Sequence, residues 1–510
     1  MSLAKFFDKS VLAASEILSG FSYLHFEQVL KNVIVQIGYD SKAASTFEGQ
    51  CALDMSVRLL ARLYPTLSIK ALDDEANSIL PGLVKVARDI NPEITILTHS
   101  DKANITLVIG EKPFNGDVVY YIGSENWVAK FSSKSPVGCQ DSANPLGAGA
   151  AACFGAANIF RFLFKTQLFE GEPDGPFSIS LLNNILNPDA SNNPVIETCN
   201  LGQIPIVGIG AIGNAIVWGL SKVKGISGEL HLIDPEKIEL SNLQRYVNSL
   251  FADIGLYKSD SAVTKFDSLK IKAISYKCKW AEYLAMQSSF ALETVVVSVD
   301  SAKARCEIQA SLSRKIFNAW TQLNDLGVSR HDFLSEEACL MCLYLPDGEV
   351  PSEDQEIASA LNMTDPQSLY DIRERLFKNI PVDQQFLQQI AVAKNVPFEP
   401  LCDFVGHSLR EFYSRAICGG MLLTLNPSSI ATGQPVPMAF QSALAGIMLA
   451  CDVIADKANL RKEAPPTTTR INLLKPITQH LNFPEKKHPS KRCICKDEDF
   501  IAAYKSKWQA

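Results

Sequence analysis

Gly208, Gly210 and Gly213 form a G-x-G-x-x-G run inside IPIVGIGAIGNAIVWGLSKV. In that spacing the first glycine allows a tight turn after a strand. The second lets the backbone approach a phosphate, and the third lets the following helix pack close. Asp234 comes about 20 residues beyond the last glycine, at the end of a second apolar run, where a carboxylate can accept from ribose hydroxyls. A strand before the glycines, a helix after them and Asp234 at the next strand end together predict a nucleotide site.

The charges that follow indicate which nucleotide chemistry to expect. Asn242 and Arg245 lie in SNLQR, Lys258 in ADIGLYKSD, and Asp300 closes ETVVVSVD. Arginine offers a rigid fork and lysine a compact charge for phosphate oxygens, and a departing pyrophosphate needs both. Asp300 supplies a hard oxygen for Mg²⁺, which bridges phosphates in such sites. Hydride transfer on a nicotinamide dinucleotide accounts for Gly208 to Asp234, but not for this Asn, Arg and Lys series. A triphosphate such as ATP does.

Thirteen cysteines spread over 510 residues are too sparse for a disulfide scaffold, and their number is odd. Nine are scattered: Cys51, Cys139, Cys153, Cys199, Cys278, Cys306, Cys402, Cys418 and Cys451. Most of these are expected to be small buried hydrophobes. The others form two pairs, Cys339/Cys342 as C-x-x-C and Cys493/Cys495 as C-x-C. Four thiolates in two pairs can satisfy a tetrahedral Zn²⁺ with bonds of about 2.3 Å. Cys402, in FEPLCDFVG, has apolar neighbours that suggest a buried thiol, and Asp403 disfavours its thiolate. Cys418, in SRAICGGMLL, precedes a glycine pair that permits close backbone approach, and Arg415 favours its thiolate.

Elements must hold these groups in place. Strand patterns end at Val207, Ile233 and near Asp300, so Gly208, Asp234 and Asp300 all fall at carboxyl ends, where open α/β sheets bind ligands. A doubly wound, mostly parallel Rossmann-like sheet is therefore expected over residues 196–510. VPMAFQSALAGIMLACDVIA reads as a long apolar helix, residues 338–430 as an insertion, and 460–510 as a C-terminal tail. The first 195 residues look like a worn copy. NVIVQIGYD, ITLVIG and GDVVYYIG read as strands and NPLGAGAAACFGAANIFRFLF as a small-residue helix. No glycine fingerprint follows NVIVQIG, and no acidic residue obviously replaces Asp234.

Composition sets the outer bounds. The chain exceeds the ~250–300 residues at which single cores stop growing, so two domains are expected. A hydrophobic content of 47% excludes general disorder, and a net charge of -7 argues against nucleic acid as the partner. Charged residues interrupt each apolar run before the ~18 residues of a membrane span. Asp8 and Glu16 interrupt the N-terminal stretch, which predicts no signal core, no membrane association and a cytoplasmic location.

GIGAIGNA, LIDPEKIELSNLQR, IGLYKSDSA and VSVDSAKAR together resemble the adenylation core of the ubiquitin-activating-enzyme superfamily, which includes the ThiF and MoeB type. The resemblance covers roughly residues 200–320 and returns at ICGGML and FQSALAG. NPLGAGAAAC makes the first half similar to the inactive adenylation domain of two-domain activating enzymes, as in bacterial ubiquitin-like conjugation operons, some of them antiviral. The resemblance implies that a ubiquitin-like protein's C-terminal carboxylate attacks the α-phosphate of ATP. It places Asp234 on ribose, Asn242, Arg245 and Lys258 around the phosphates, and Asp300 on Mg²⁺. Glu236 stands where the family often has Asp, and Ser301 where it often has Asn.

The resemblance also favours Zn²⁺ at the four paired cysteines and gives Cys418, within the inserted region, the role of acyl acceptor. A conjugating enzyme is implied as a further partner, and a homodimer stays open. The family borrows an arginine from the other half, for which Arg58 and Arg62 are candidates. Two alternatives remain: a sulfur-carrier adenylyltransferase of the thiamine and molybdopterin type, and a nucleotide-binding scaffold without catalysis.

Overall fold

The computed structural model describes residues 3–98, 103–189, 193–267, 269–345, 352–417, 436–490 and 492–508. Short β-branched runs of the first half build β1 (Val35–Tyr39), β2 (Thr66–Ala71), β3 (Thr95–Leu97), β4 (Ile105–Ile109), β5 (Val119–Glu125), β6 (Val128–Ser132), β7 (Phe177–Ser180) and β8 (Ile185–Leu186), in the order β3-β2-β1-β4-β5-β6-β7-β8. The second half builds β9 (Cys199–Val207), β10 (Ile226–Ile233), β11 (Ile271–Tyr276), β12 (Thr294–Val297), β13 (Lys315–Thr321), β14 (Leu326–Asp332), β15 (Thr468–Ile471) and β16 (Asn482–Phe483), in the order β11-β10-β9-β12-β13-β14-β15-β16. Each sheet pairs its first five strands in parallel and its last three antiparallel. Both sheets thus have the doubly wound, Rossmann-like arrangement. Strands β1, β4 and β12 are buried along their whole length, as expected where helices cover both faces of a parallel sheet.

The helices between the sheets form a shared core. We label α1 (Phe47–Leu60), α2 (Leu146–Phe164), α3 (Ala211–Lys222), α4 (Ala302–Ala310) and α5 (Ala439–Lys457). Helix α5 packs on both α3 and α2, and α1 packs on α2. Small residues set how closely they approach. A Cβ on Gly149 of α2 would lie 2.5 Å from the Trp218 ring, and one on Gly446 of α5 would lie 2.5 Å from Ala215. These are the small-residue strings read from the sequence.

Arg161 and Asp452 interrupt the apolar runs of Leu146–Gln167 and Ala439–Lys457, two segments that are by length and composition apolar enough to cross a membrane. They are 89% and 94% buried, because each is sandwiched in the core. Met1–Ala4, Leu30–Leu345 and Pro437–Ala510 form one compact unit, and Lys5–Val29 with Pro346–Val436 form another. The second unit has its own core of Ile357, Leu361, Ile372, Phe386, Ile390 and Phe412. Its helices Pro366–Lys378 and Gln384–Lys394 are capped by Asp365 and Asp383, each accepting from a backbone N–H one turn on.

Candidate nucleotide site

The three fingerprint glycines do different work. Gly208 has φ +90° and sits against the Ser298 carbonyl, where a Cβ would come within 2.9 Å. Gly213, in the first turn of α3, faces the Gly208 carbonyl, and a Cβ there would lie 2.2 Å from it. Both are required by turn geometry and packing. Gly210 differs. A Cβ there would meet only the Tyr246 hydroxyl, at 3.7 Å, so the backbone at 210 is left open to an incoming group.

Asp234 lies directly after β10 and ties this loop down. Its carboxylate accepts from Ile209 N at 2.7 Å and from Glu236 N at 2.9 Å. Burial raises its pKa above the ordinary aspartate value, against the opposing pull of Lys258 and the two N–H groups. Asn242 uses its amide oxygen to accept from Glu239 N at 3.0 Å, closing the short turn that presents Arg245. Nη1 of Arg245 is buried yet has no hydrogen-bond partner among the described residues. A buried guanidinium nitrogen without an acceptor is costly unless an anion arrives to accept from it.

Lys258, also buried, donates to Glu236 at 2.5 Å, so the longer carboxylate at 236 reaches the lysine. Burial works against the Lys258 charge, but Tyr246, Asp234 and Glu236 outweigh it and hold its pKa above the ordinary lysine value. The rings and cations converge: Lys258 Nζ and Arg245 Cζ lie 5.4 and 5.8 Å from the Tyr246 ring. Asp300, at the end of the β12 crossover, is exposed, and its side chain has no hydrogen bond among the described residues. Ser301 instead caps α4, accepting from Ala304 N at 3.3 Å, so its hydroxyl is engaged in the helix. The residues present therefore fit a phosphate-bearing ligand, and Asp300 is the carboxylate free to meet a hard cation.

Arg58 and Arg62, weighed from sequence as arginines lent to the phosphates, bond the backbone of the segment that carries Arg245. Arg62, 2% exposed on the turn after α1, donates to the carbonyls of Leu243, Val247 and Ser249 at 2.5, 3.0 and 2.9 Å. Arg58 donates to Val247 O at 3.0 Å and pairs with Asp54 at 2.9 Å. Asp54 also accepts from Trp218 Nε1 of α3 at 2.9 Å. One helix face of the first half thus grips both the segment carrying Arg245 and the helix behind the glycines. Residue spacing within either half carries no trace of this clamp.

The sulfurs of Cys339, Cys342, Cys493 and Cys495 come together and are buried. The separations given by 339–342, 339–493, 342–493, 342–495 and 493–495 are 3.7, 3.4, 3.3, 3.5 and 3.5 Å. These are too long for disulfides and close to the roughly 3.8 Å between ligand sulfurs of a tetrahedron with 2.3 Å bonds. This cluster could bind a metal ion.

The scattered cysteines are mostly buried, as expected: Cys51, Cys139, Cys153, Cys199, Cys278 and Cys451. Burial pushes the Cys51 and Cys139 thiols up to about 12. Cys402 reverses its expectation. It is exposed, because the short helix Glu399–Phe404 turns Leu401 and Phe404 inward and leaves 402 on the outer side. Arg415, expected to favour a thiolate at Cys418, pairs with Glu411 at 3.3 Å. Cys418 lies outside the described residues.

Comparison with known proteins gives the relatives of the chain. A model described as the ThiF family matches residues 191–495, and one described as Prokaryotic E2 family C matches residues 38–165. The uncharacterized protein y4jF of Sinorhizobium fredii is 43% identical over 509 residues, covering all of this chain and 98% of its own length. Among solved structures, E. coli MccB with MccA-N7isoASN is 14% identical over 58% of this chain and 67% of its own, with a TM-score of 0.35. E. coli MccB crystallised alone is 16% identical over 57% and 64%, also with a TM-score of 0.35.

Proposed function

Because the chain belongs to the ThiF family, with that family's adenylyltransferase-like fold, we propose that it activates a ubiquitin-like protein by ATP-dependent adenylation. The substrate's C-terminal carboxylate attacks the α-phosphate, the bond to the β-phosphate breaks, and pyrophosphate leaves. The observation that carries this reading is the buried, partnerless Nη1 of Arg245 beside Lys258 and the open backbone at Gly210. Asp234 holds the loop and offers its remaining lone pairs to ribose. Asn242 fixes the turn that presents Arg245, and Lys258 exchanges its Glu236 partner for phosphate oxygen. Asp300 would hold Mg²⁺, which would supply charge neutralisation on the phosphates.

The thiol of Cys418 then attacks the acyl-adenylate carbonyl, AMP leaves, and the thioester passes to a conjugating enzyme. The three cysteines of residues 38–165 are all buried with raised thiol pKa values, which favours a separate protein for that last step. The four-cysteine cluster is assigned to structural Zn²⁺. Pyrophosphate exchange dependent on a small β-grasp protein tests the first step, and no exchange with any such protein contradicts it. Cys418→Ala should keep exchange and lose the thiol-sensitive adduct, whereas loss in Cys402→Ala alone moves the role to Cys402. Zinc analysis should give about one equivalent per chain, and less than half counts against the assignment.

A further inference from the structure

The open position at Gly210 faces a residue that neither the fingerprint nor the charge series includes. Tyr246 is 3% exposed, and its hydroxyl is the closest group to the space a Cβ at 210 would fill. Several buried hydroxyls in this protein lack partners, those of Tyr39 and Tyr64 among them, but these are sealed in packed core. The Tyr246 hydroxyl also has no hydrogen bond among the described residues, yet it is not sealed; it opens toward the glycine loop. Its ring has Lys258 and Arg245 within cation–π range, so one side chain lies against both cations of the site.

Resting on the adenylation reading, we propose that Tyr246 is a nucleotide-binding residue whose hydroxyl donates to a phosphate oxygen carried over Gly210. The ligand class is the polyphosphate of a nucleoside triphosphate. A phenol suits this place physically. It adds a donor to an anion without a third positive charge between Lys258 and Arg245, and its ring keeps both cations turned toward the same space. A hydrogen bond to a charged acceptor is among the stronger neutral-donor interactions.

The test is titration of the full chain with a non-hydrolysable ATP analogue and, separately, with adenosine. Tyr246→Phe keeps the ring and both cation contacts, so its thermal midpoint should match the wild type. It should bind the ATP analogue about 10- to 100-fold more weakly while binding adenosine unchanged. Tyr246→Leu, which also removes the ring, should weaken the analogue further. Unchanged affinity for the analogue in Tyr246→Phe overturns the assignment. Equal loss of adenosine and analogue also overturns it, because the residue would then only pack. If the wild type binds neither, the adenylation reading falls first and this assignment with it.

Discussion

After the first strand of each sheet the chain meets a different residue: Asp40 follows β1, and Gly208 follows β9. Asp40 turns its carboxylate inward, accepting from Ala43 N at 2.9 Å and from Glu111 N and Lys112 N at 2.6 and 2.9 Å. Its two oxygens are thereby spent on three backbone N–H groups of the fold, whereas the second sheet has a glycine at this point. The next strands then behave alike. Asp73, after β2, accepts from Ser41 N and Ala76 N at 3.0 Å each, as Asp234 after β10 accepts from Ile209 N and Glu236 N. The expectation that no acidic residue replaces Asp234 in the first half is therefore corrected: Asp73 does. The carboxylate that ties down the first loop belongs to the fold. What separates the halves is the residue after the first strand and the cations around it.

The first half keeps a different task. Its Asp54, Arg58 and Arg62 hold the second half's Arg245 segment and α3, so the first half positions the elements of the proposed nucleotide site.

The largest expected effect sharpens the contrast at the cations. Arg245→Ala and Asp300→Ala should each lower pyrophosphate exchange about 100- to 1,000-fold while the fold persists, because both act on developing charge and neither is packed in core. Near-normal exchange in either variant would falsify its assignment. A smaller effect is expected at the clamp. Arg62→Met leaves the Leu243 and Ser249 carbonyls unpaired at about 1–3 kcal/mol each, while Val247 keeps its bond from Arg58, and the loss is offset in part by ending the cost of burying a charge. Urea melts should show a loss of several kcal/mol. Hydrogen exchange should show lost protection at residues 243–249 with the β1–β5 sheet unchanged, and protection lost evenly across both halves would break the positioning account.

The smallest effect concerns the paired aspartates, whose titrations run in opposite senses. The Lys112 bond, followed by the Ser41 N–H, holds Asp73 down to about 2, so its contribution to stability is present above the unfolded value and fades as pH falls toward about 2. Asp234 is raised by burial, so its contribution is present below the unfolded value and is lost as pH rises through the raised one. The stability difference between wild type and Asp73→Asn should therefore shrink steadily from pH 5 to pH 2. A difference that stays constant would show that Asp73 acts through shape alone.

Legibility in the sequence followed distance along the chain. Gly208, Asp234, Arg245 and Lys258 were readable because the crossovers that assemble them are short, and the strand ends fell where β-branched runs stopped. Asp73 was hidden in ALDDE, two residues past its strand, and Tyr246 belongs to neither the glycine fingerprint nor the charge series. The clamp joins residues 164 to 189 positions apart, so only the packing of α1 reveals it. Cys402 was misjudged because its apolar neighbours turn inward on a short helix without it.

The most direct test of the difference between the halves is the stoichiometry of ATP-analogue binding by calorimetry on the full chain and on Arg245→Ala. We expect one nucleotide per chain in the wild type and a strong loss of that binding in the variant. Two nucleotides per chain, or one that binds Arg245→Ala as tightly as the wild type, would contradict the account.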